Sequence, residues 1–270
     1  MMTADRLPAG GEATALLAAD KVSLGYAGVA VVHGVSLRVS SGAALGIAGE
    51  SGSGKSTLAR ALVGDIFPVR GSVTVNGRAW KDVGRKDPDR RLVQMIFQDP
   101  YSALNPRMTA RQAVSETLHV VRGVPRRDAG ERAGEVLARV GLSGSAIDAR
   151  PHRLSGGQRQ RAVIARALAC EPGVLIADEP TSSLDVWIQA QILDLLVDLR
   201  AEHGLALVLV THDLAVIKHM TDTCIVMRDG IVVEEGPTQQ ILAEPRHDYT
   251  RALVDAHLGS PNSIGPGPKR

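Results

Sequence analysis

The 270-residue chain has few cysteines, little net charge and no long apolar segment. Its two cysteines, Cys170 and Cys224, form no CxxC spacing and support neither a disulfide framework nor a cysteine metal site. A formal net charge of +2 at pH 7 is too small to indicate a nucleic-acid partner. The longest apolar run near a predicted strand, residues 205–210, is far shorter than the roughly 20 residues that span a bilayer. We expect a cytoplasmic protein, with any membrane association peripheral.

A glycine-rich segment lies between a short apolar run and a helix-forming run. Its residues are Gly49, Glu50, Ser51, Gly52, Ser53, Gly54, Lys55, Ser56 and, at the start of the helix, Thr57. The glycines allow backbone amides to surround a β-phosphate, the lysine can reach the β and γ oxygens, and the Ser56 hydroxyl suits Mg²⁺. An ordinary glycine-rich turn does not require these features together. The segment predicts nucleotide binding, a property that kinases and GTPases share.

Two acidic residues follow the apolar strand predicted over residues 174–177. Sheets of alternating strands and helices bind their ligands at this end of their strands. We expect Asp178 to hold Mg²⁺ through its water shell, and Glu179 to orient or deprotonate an attacking water. An Asp-Glu pair by itself is more often a capped loop. The apolar strand before it, Pro180 after it and the phosphate loop favour the catalytic interpretation.

A third motif begins at Leu154 and continues through Ser155, Gly156, Gly157 and Gln158. Ser155 can cap a following helix, predicted over residues 158–169, and the glycines allow its amides to approach a phosphate closely. A simple N-cap explains the serine but does not require two glycines followed by glutamine. The motif therefore indicates a second contact with phosphate.

Strands and helices alternate along the chain, which predicts a largely parallel sheet with helices on both faces. Gly64 and Gly204 are expected to end two of the helices. Strands are predicted over residues 21–26, 29–39, 43–48, 71–76, 174–177, 205–210 and 224–227. Helices are predicted over 57–63, 158–169, 186–202 and 214–220, with a helical insertion over about 105–154.

Together these motifs resemble the ATP-binding-cassette (ABC) ATPases, over almost the whole chain. The resemblance implies an α/β fold: a P-loop NTPase (RecA-like) core with an N-terminal antiparallel β subdomain and an inserted α-helical subdomain. The ATPase domain would span residues 14–258, with the helical subdomain at about 105–170 and a C-terminal importer-type extension at about 236–258. Residues 1–13 and 259–270 would be flexible tails.

The resemblance also implies ATP and Mg²⁺ as ligands, and roles for individual residues. Lys55, Glu179 and His212 would be catalytic, with His212 near the γ-phosphate. Ser155, Gly156, Gly157 and Gln158 would close over ATP that a second subunit holds. Gln98 would contact Mg²⁺ and sense a membrane partner, Asp185 would cross the dimer interface, and Tyr26 would stack on adenine. Considered singly, these last residues have ordinary interpretations, and Tyr26 rests on spacing alone.

Residues 97–109 and 244–253 are similar to the ATPases of importers for dipeptides, oligopeptides and nickel. In the second segment, Asp248 occupies the place of a usual proline. The resemblance implies a subunit at the cytoplasmic face of the membrane, paired with an identical or different ATPase. Two permease subunits and, indirectly, an extracytoplasmic solute-binding protein would complete the importer. The alternative is an accessory ATPase of a non-transport complex such as phosphonate C–P lyase.

Overall fold

The computed structural model describes residues 15–26, 29–84, 87–182 and 184–259. Of the tails predicted over 1–13 and 259–270, all residues except Gly259 lie outside these ranges. In chain order the strands are β1 (Leu17–Tyr26), β2 (Val29–Val39), β3 (Ala44–Ala48), β4 (Arg70–Val75), β5 (Arg78–Ala79), β6 (Val93–Ile96), β7 (Val174–Asp178), β8 (Ala206–Thr211), β9 (Thr223–Arg228) and β10 (Ile231–Pro237).

The helices surround two sheets, and three further short segments (Trp80–Asp82, Gly144–Ala146 and Pro151–Arg153) are 3₁₀ turns. The α-helices are α1 (Lys55–Leu62), α2 (Asp89–Leu92), α3 (Pro100–Ala103), α4 (Ala110–Arg122), α5 (Arg126–Arg139), α6 (Gly156–Leu168), α7 (Val186–His203), α8 (Leu214–Met220), α9 (Thr238–Ala243) and α10 (Asp248–Leu258). None of the helices in the described ranges has both the length and the apolar character needed to span a bilayer.

One sheet is antiparallel and the other is mainly parallel. The antiparallel sheet has the strand order β2-β1-β4-β5, and the larger sheet has the order β10-β9-β3-β8-β7-β6. In the larger sheet only the pair of β9 and β10 is antiparallel. All of the residues in β3, β7 and β8 are buried, which is typical of parallel strands covered on both faces.

Successive residues of the larger sheet enter two different cores, because side chains alternate between the faces of a strand. In β7, Val174 and Ile176 pack in a core shared with the antiparallel sheet and α1. Leu175 and Ala177 pack on the opposite face, in a core shared with helices that include α4 to α8. These layers confirm the predicted fold class, with its α/β core, antiparallel N-terminal sheet and inserted helices.

Four strands differ from the sequence prediction, because β5, β6 and β10 were not predicted and β1 starts elsewhere. β1 begins at Leu17, four residues earlier than predicted, and continues through an irregularity at Lys21, whose φ is 46°. β10 was absent from the predicted strands. Its hairpin with β9 turns at Asp229 and Gly230, which both have positive φ, and an Asp-Gly pair is a recognised signal for such a turn.

Two helix starts also differ, and in both cases glycine is the reason. α1 begins at Lys55, two residues before the predicted start, directly after Gly54. Its C-cap is Val63, and Gly64 follows the cap with a φ of 75°. α6 begins at Gly156, so the two glycines belong to its first turn and do not precede it. The end of α7 at Gly204 is confirmed.

Candidate nucleotide site

The end of β3 and the start of α1 hold the predicted phosphate loop. Gly49 has a φ of 147°, and a Cβ added there would lie 2.2 Å from the carbonyl oxygen of Met227 in β9. Glycine is therefore required where the loop leaves the sheet. Gly54, with a φ of 96°, is the N-cap of α1. The unpaired N–H groups of the first turn of α1 consequently lie at the loop, an arrangement that suits an anion.

Lys55 is folded back onto its own loop. Its Nζ donates hydrogen bonds of 2.7 Å to the carbonyl oxygens of Gly49 and Glu50, and the residue is only 6% exposed. Burial lowers the pKa of the lysine, and the nearby Glu179 and Asp178 carboxylates oppose that effect. The ammonium group is thus held inside the loop by oxygens that phosphate oxygens can replace.

Ser56 and Asp178 meet beside the loop. The Ser56 hydroxyl donates a 3.1 Å hydrogen bond to Oδ1 of Asp178, at the end of β7. Asp178 is 5% exposed, and burial raises the pKa of its carboxyl, against the opposing effect of the Ser56 hydrogen bond. A hydroxyl and a carboxylate at this distance are hard oxygen ligands of the kind that Mg²⁺ prefers. The donor set fits this metal.

Glu179 lies at the edge of the larger sheet where β7 and β8 end, close to the segment that follows β6. Its N–H donates to the Val210 carbonyl at 2.8 Å, and its φ is 44°. One carboxylate oxygen accepts a 3.0 Å hydrogen bond from Nε2 of Gln98, and the other lies 2.9 Å from Nδ1 of His212. Since a carboxylate only accepts hydrogen bonds, Nδ1 of His212 carries hydrogen and Nε2 is left for another partner.

Apart from Gly49 and Asp178, which lie just behind it, these groups line a cleft of about 520 Å³. The predicted site residues on its wall are Glu50, Ser51, Gly52, Gly54, Lys55, Ser56, Thr57, Gln98, Glu179 and His212. Val31, Leu253 and His257 also line the cleft and were missed by sequence reasoning. Tyr26 is not on the wall; it ends β1 and is 44% exposed.

The predicted signature residues lie outside the cleft wall and pack against the segment that follows β7. Ser155 and Gln158 form a capping box, with hydrogen bonds of 3.2 and 3.0 Å between side chain and backbone. A Cβ added at Gly157 would lie 2.6 Å from the Ile188 side chain on α7. The glycines of this motif are therefore needed for close packing, a constraint that the sequence alone did not reveal.

Asp185 is the N-cap of α7, and its Oδ1 accepts a 3.0 Å hydrogen bond from the N–H of Ile188. Leu184, beside it, would lie 3.0 Å from a Cβ added at Gly156. Ser183 lies outside the described residues. The segment predicted to cross a subunit interface is thus packed against the predicted signature within one chain, so both can be presented to a partner together.

A family model described as "ABC transporter" matches residues 32–182, which is more than half of the chain. The chain belongs to the ABC transporter family. It is 46% identical over 230 residues to the oligopeptide transport ATP-binding protein OppF of Escherichia coli (strain K12), covering 83% of this chain and 68% of that protein. It is 43% identical over 235 residues to the di/tripeptide transport ATP-binding protein DppF of Pseudomonas aeruginosa (strain UCBPP-PA14), covering 86% and 72%.

The fold is also similar to a solved ABC cassette. The cassette MJ0796, in a dimeric post-hydrolysis state bound to ADP and Pi, has a TM-score of 0.73 and 31% identity. The match covers 82% of this chain and 98% of that one. Membership of the ABC family makes this chain an ATPase coupled to transport, whose relatives form dimers and work with membrane subunits.

Proposed function

We propose that this ABC ATPase drives the import of peptides, or of a similar small solute such as nickel. The names of the two relatives described above support peptides as cargo. The observation that supports hydrolysis is the position of Glu179, whose carboxylate lies on the cleft wall between Gln98 and His212. Peptide cargo itself would be selected by the other subunits of the importer.

ATP would bind with its phosphates in the loop, replacing the Gly49 and Glu50 carbonyls as acceptors for Lys55. Glu179 would accept a proton from the attacking water, or orient that water for in-line attack on the γ-phosphate. With Nδ1–H donating to Glu179, a protonated His212 would present Nε2–H as a donor to the γ-phosphate oxygens. Fixed donors of this kind stabilise the charge that develops on the phosphoryl group.

Mg²⁺ would be held by Ser56, Asp178 and Gln98, through direct or water-mediated contacts. The metal would neutralise charge on the β and γ oxygens. Asp178 and Ser56 already share a hydrogen bond of 3.1 Å, and Gln98 reaches the same cleft through its contact with Glu179. These three residues come from α1, the end of β7 and the chain after β6, and together they would position the metal.

The signature residues would act on ATP held by a second ATPase subunit, identical or different. Ser155, Gly156, Gly157 and Gln158 are displaced from the cleft of their own chain, and Asp185 caps the helix against which they pack. Closure of two chains head to tail would then complete each site. The Tyr26 ring would stack on adenine only if the adenine lay beside the exposed end of β1.

The membrane assembly would contain two permease subunits, contacted near Gln98 and the helical region of residues 105–170. The ATPase would lie at the cytoplasmic face, and a solute-binding protein outside would deliver the cargo. Co-purification of the tagged chain from its native membrane tests this assembly. We expect two permeases and an ATPase pair, and hydrolysis that rises when the binding protein carries a peptide. Lyase subunits in place of permeases would contradict transport and support the accessory-ATPase alternative.

A further inference from the structure

The C-terminal helix α10 lies against the phosphate loop of the same chain. Tyr249, in its first turn, is 8% exposed, and its hydroxyl oxygen accepts a 3.1 Å hydrogen bond from the N–H of Glu50. The guanidinium group of Arg228 lies over the Tyr249 ring, 4.9 Å from its centre. Further along the helix, Leu253 and His257 line the nucleotide cleft. Thus α10 contributes both a wall of the cleft and a contact to the loop.

The hydrogen bond from the Glu50 N–H is important because of the peptide group that donates it. The N–H of Glu50 and the C=O of Gly49 are the two polar ends of one planar peptide unit. Lys55 donates to that C=O at 2.7 Å, while Tyr249 accepts from the N–H on the other side. The first peptide of the loop is therefore held at both ends, by the catalytic lysine and by α10.

ATP binding would draw on the lysine contact and not on the tyrosine contact. In a phosphate loop the lysine reaches the β and γ oxygens, so Lys55 would give up donors that now go to the Gly49 and Glu50 carbonyls. We propose that Tyr249 is a positioning residue that keeps this peptide in place when Lys55 transfers to the phosphates. The inference rests on the proposed function, because it assigns Tyr249 a part in ATP binding at that same site.

α10 is attached to the sheet by contacts of its own, so it can hold Tyr249 against the loop. The Glu234 carboxylate on β10 accepts hydrogen bonds of 2.9 and 3.1 Å from the N–H groups of Arg246 and His247, just before the helix. Leu253, 4% exposed, is buried on the same helix. The Tyr249 hydroxyl is thus carried by an element with its own contacts to the sheet, and does not depend on the loop for its position.

The test compares Tyr249→Phe with the wild-type full chain. The substitution removes the hydroxyl but keeps the ring beneath Arg228, so the melting temperature without nucleotide should fall by no more than the few degrees expected for one lost hydrogen bond. We expect the Kd for ATP with Mg²⁺ to rise about threefold to tenfold, because the hydroxyl is the remaining contact of this peptide once Lys55 turns to the phosphates, so its loss costs more in the ATP-bound state. Tyr101→Phe is the matched control, since its ring stacks with Arg159 and lies off the cleft wall. It should bind ATP like the wild type.

Amide hydrogen exchange at Glu50, measured without nucleotide, provides a second readout. We expect a protected amide in the wild type and faster exchange in Tyr249→Phe. Wild-type ATP affinity in the Phe variant, or an unprotected Glu50 amide in the wild type, overturns the inference. A lower melting temperature with unchanged ATP affinity also overturns it, because the hydroxyl then has only a structural role. If wild-type protein fails to bind ATP, the proposed function fails, whatever the exchange result.

Discussion

The Glu179 carboxylate accepts a hydrogen bond from Gln98 and contacts His212 with its other oxygen, at 3.0 and 2.9 Å. A glutamine in its place keeps the shape of the side chain but cannot take a proton from water. We expect Glu179→Gln to lower ATP hydrolysis by about 10²- to 10⁴-fold. ATP binding should persist, and the variant should accumulate as an ATP-bound dimer in size-exclusion chromatography.

Glu202→Gln is a suitable control for that substitution, because Glu202 is exposed near the end of α7. It should hydrolyse ATP like the wild type. Rapid hydrolysis by the Glu179 variant would remove Glu179 from the catalytic role. The position beside Asp178 was predictable from the strand and its two acids, but the contacts with Gln98 and His212 depend on three separate segments meeting at one edge of the sheet.

Asp178 lowers the stability of the folded protein when it is ionised, in addition to its proposed role as a metal ligand. Burial raises the pKa of its carboxyl, so the folded state favours the neutral form more than the unfolded state does. The ionised carboxylate therefore destabilises the nucleotide-free protein at neutral pH, and this cost disappears as the pH falls below the raised pKa. We expect Asp178→Asn to raise the melting temperature by about 2–4 °C at pH 7.

The same Asp178→Asn variant should lose hydrolysis that depends on Mg²⁺, because a carboxylate ligand is replaced by a neutral amide. Thermal melts from pH 7 downwards should show the gain shrinking as Asp178 becomes protonated in the wild type. A lower melting temperature at pH 7 would contradict this explanation. It would show that the attraction between ionised Asp178 and Lys55 outweighs the cost of burial.

At the scale of single elements, α7 and α10 differ in how far the sequence predicts them. The apolar spacing of α7 and the glycine after it predicted this helix to within one residue of its end. The segment that forms α10 was recognised only by similarity to an importer extension. Its contact with Glu50 joins residues 199 positions apart, which no local pattern can report.

Glu234 should make the attachment of α10 depend on pH. Burial raises the pKa of its carboxyl, but hydrogen bonds from groups that include the Arg246 N–H outweigh this, so the pKa is lowered overall. A lowered pKa means that the ionised group stabilises the fold above about pH 4.3, and that this stability is lost as the pH falls through the folded-state pKa.

We accordingly expect Glu234→Gln to lower the free energy of unfolding by about 1 kcal/mol at pH 7, an estimate that allows for partial solvent screening. The difference in the free energy of unfolding between the variant and the wild type should shrink as the pH falls below the pKa of a free glutamate. Urea unfolding at several pH values measures this difference, and Glu235→Gln on the same strand serves as the control. An equal difference at every pH would indicate lost packing and not lost charge.

At the scale of the whole molecule, the chain carries two proposed functional surfaces, the cleft and the signature segment, that do not meet within one copy. The cleft contains Lys55 and Glu179, while Ser155 lies elsewhere, packed towards α7. We expect Lys55→Ala and Ser155→Arg each to abolish hydrolysis when purified alone. Mixed together they should recover part of it, because a mixed dimer unites an intact loop from one copy with an intact signature from the other.

ATP hydrolysis measured across a series of mixing ratios tests this, and the wild type diluted with Lys55→Ala serves as the reference. Ser155→Arg should still bind ATP as a monomer, since the signature is not on its own cleft wall. Loss of that binding would contradict action between subunits. No recovery in the mixture would show that the chain does not pair productively with its own copy, and would point to a different ATPase partner.

The sequence by itself determined the ATPase family, and it predicted the phosphate loop, the acids after β7 and the signature motif. Each is a short run whose chemistry depends on neighbouring residues, so spacing along the chain is enough to identify it. Only the tertiary structure decided which residues share the cleft, that the signature glycines pack against α7, and that Tyr249 holds the first peptide of the loop. These contacts join distant segments, and their geometry follows from how the sheet and helices pack.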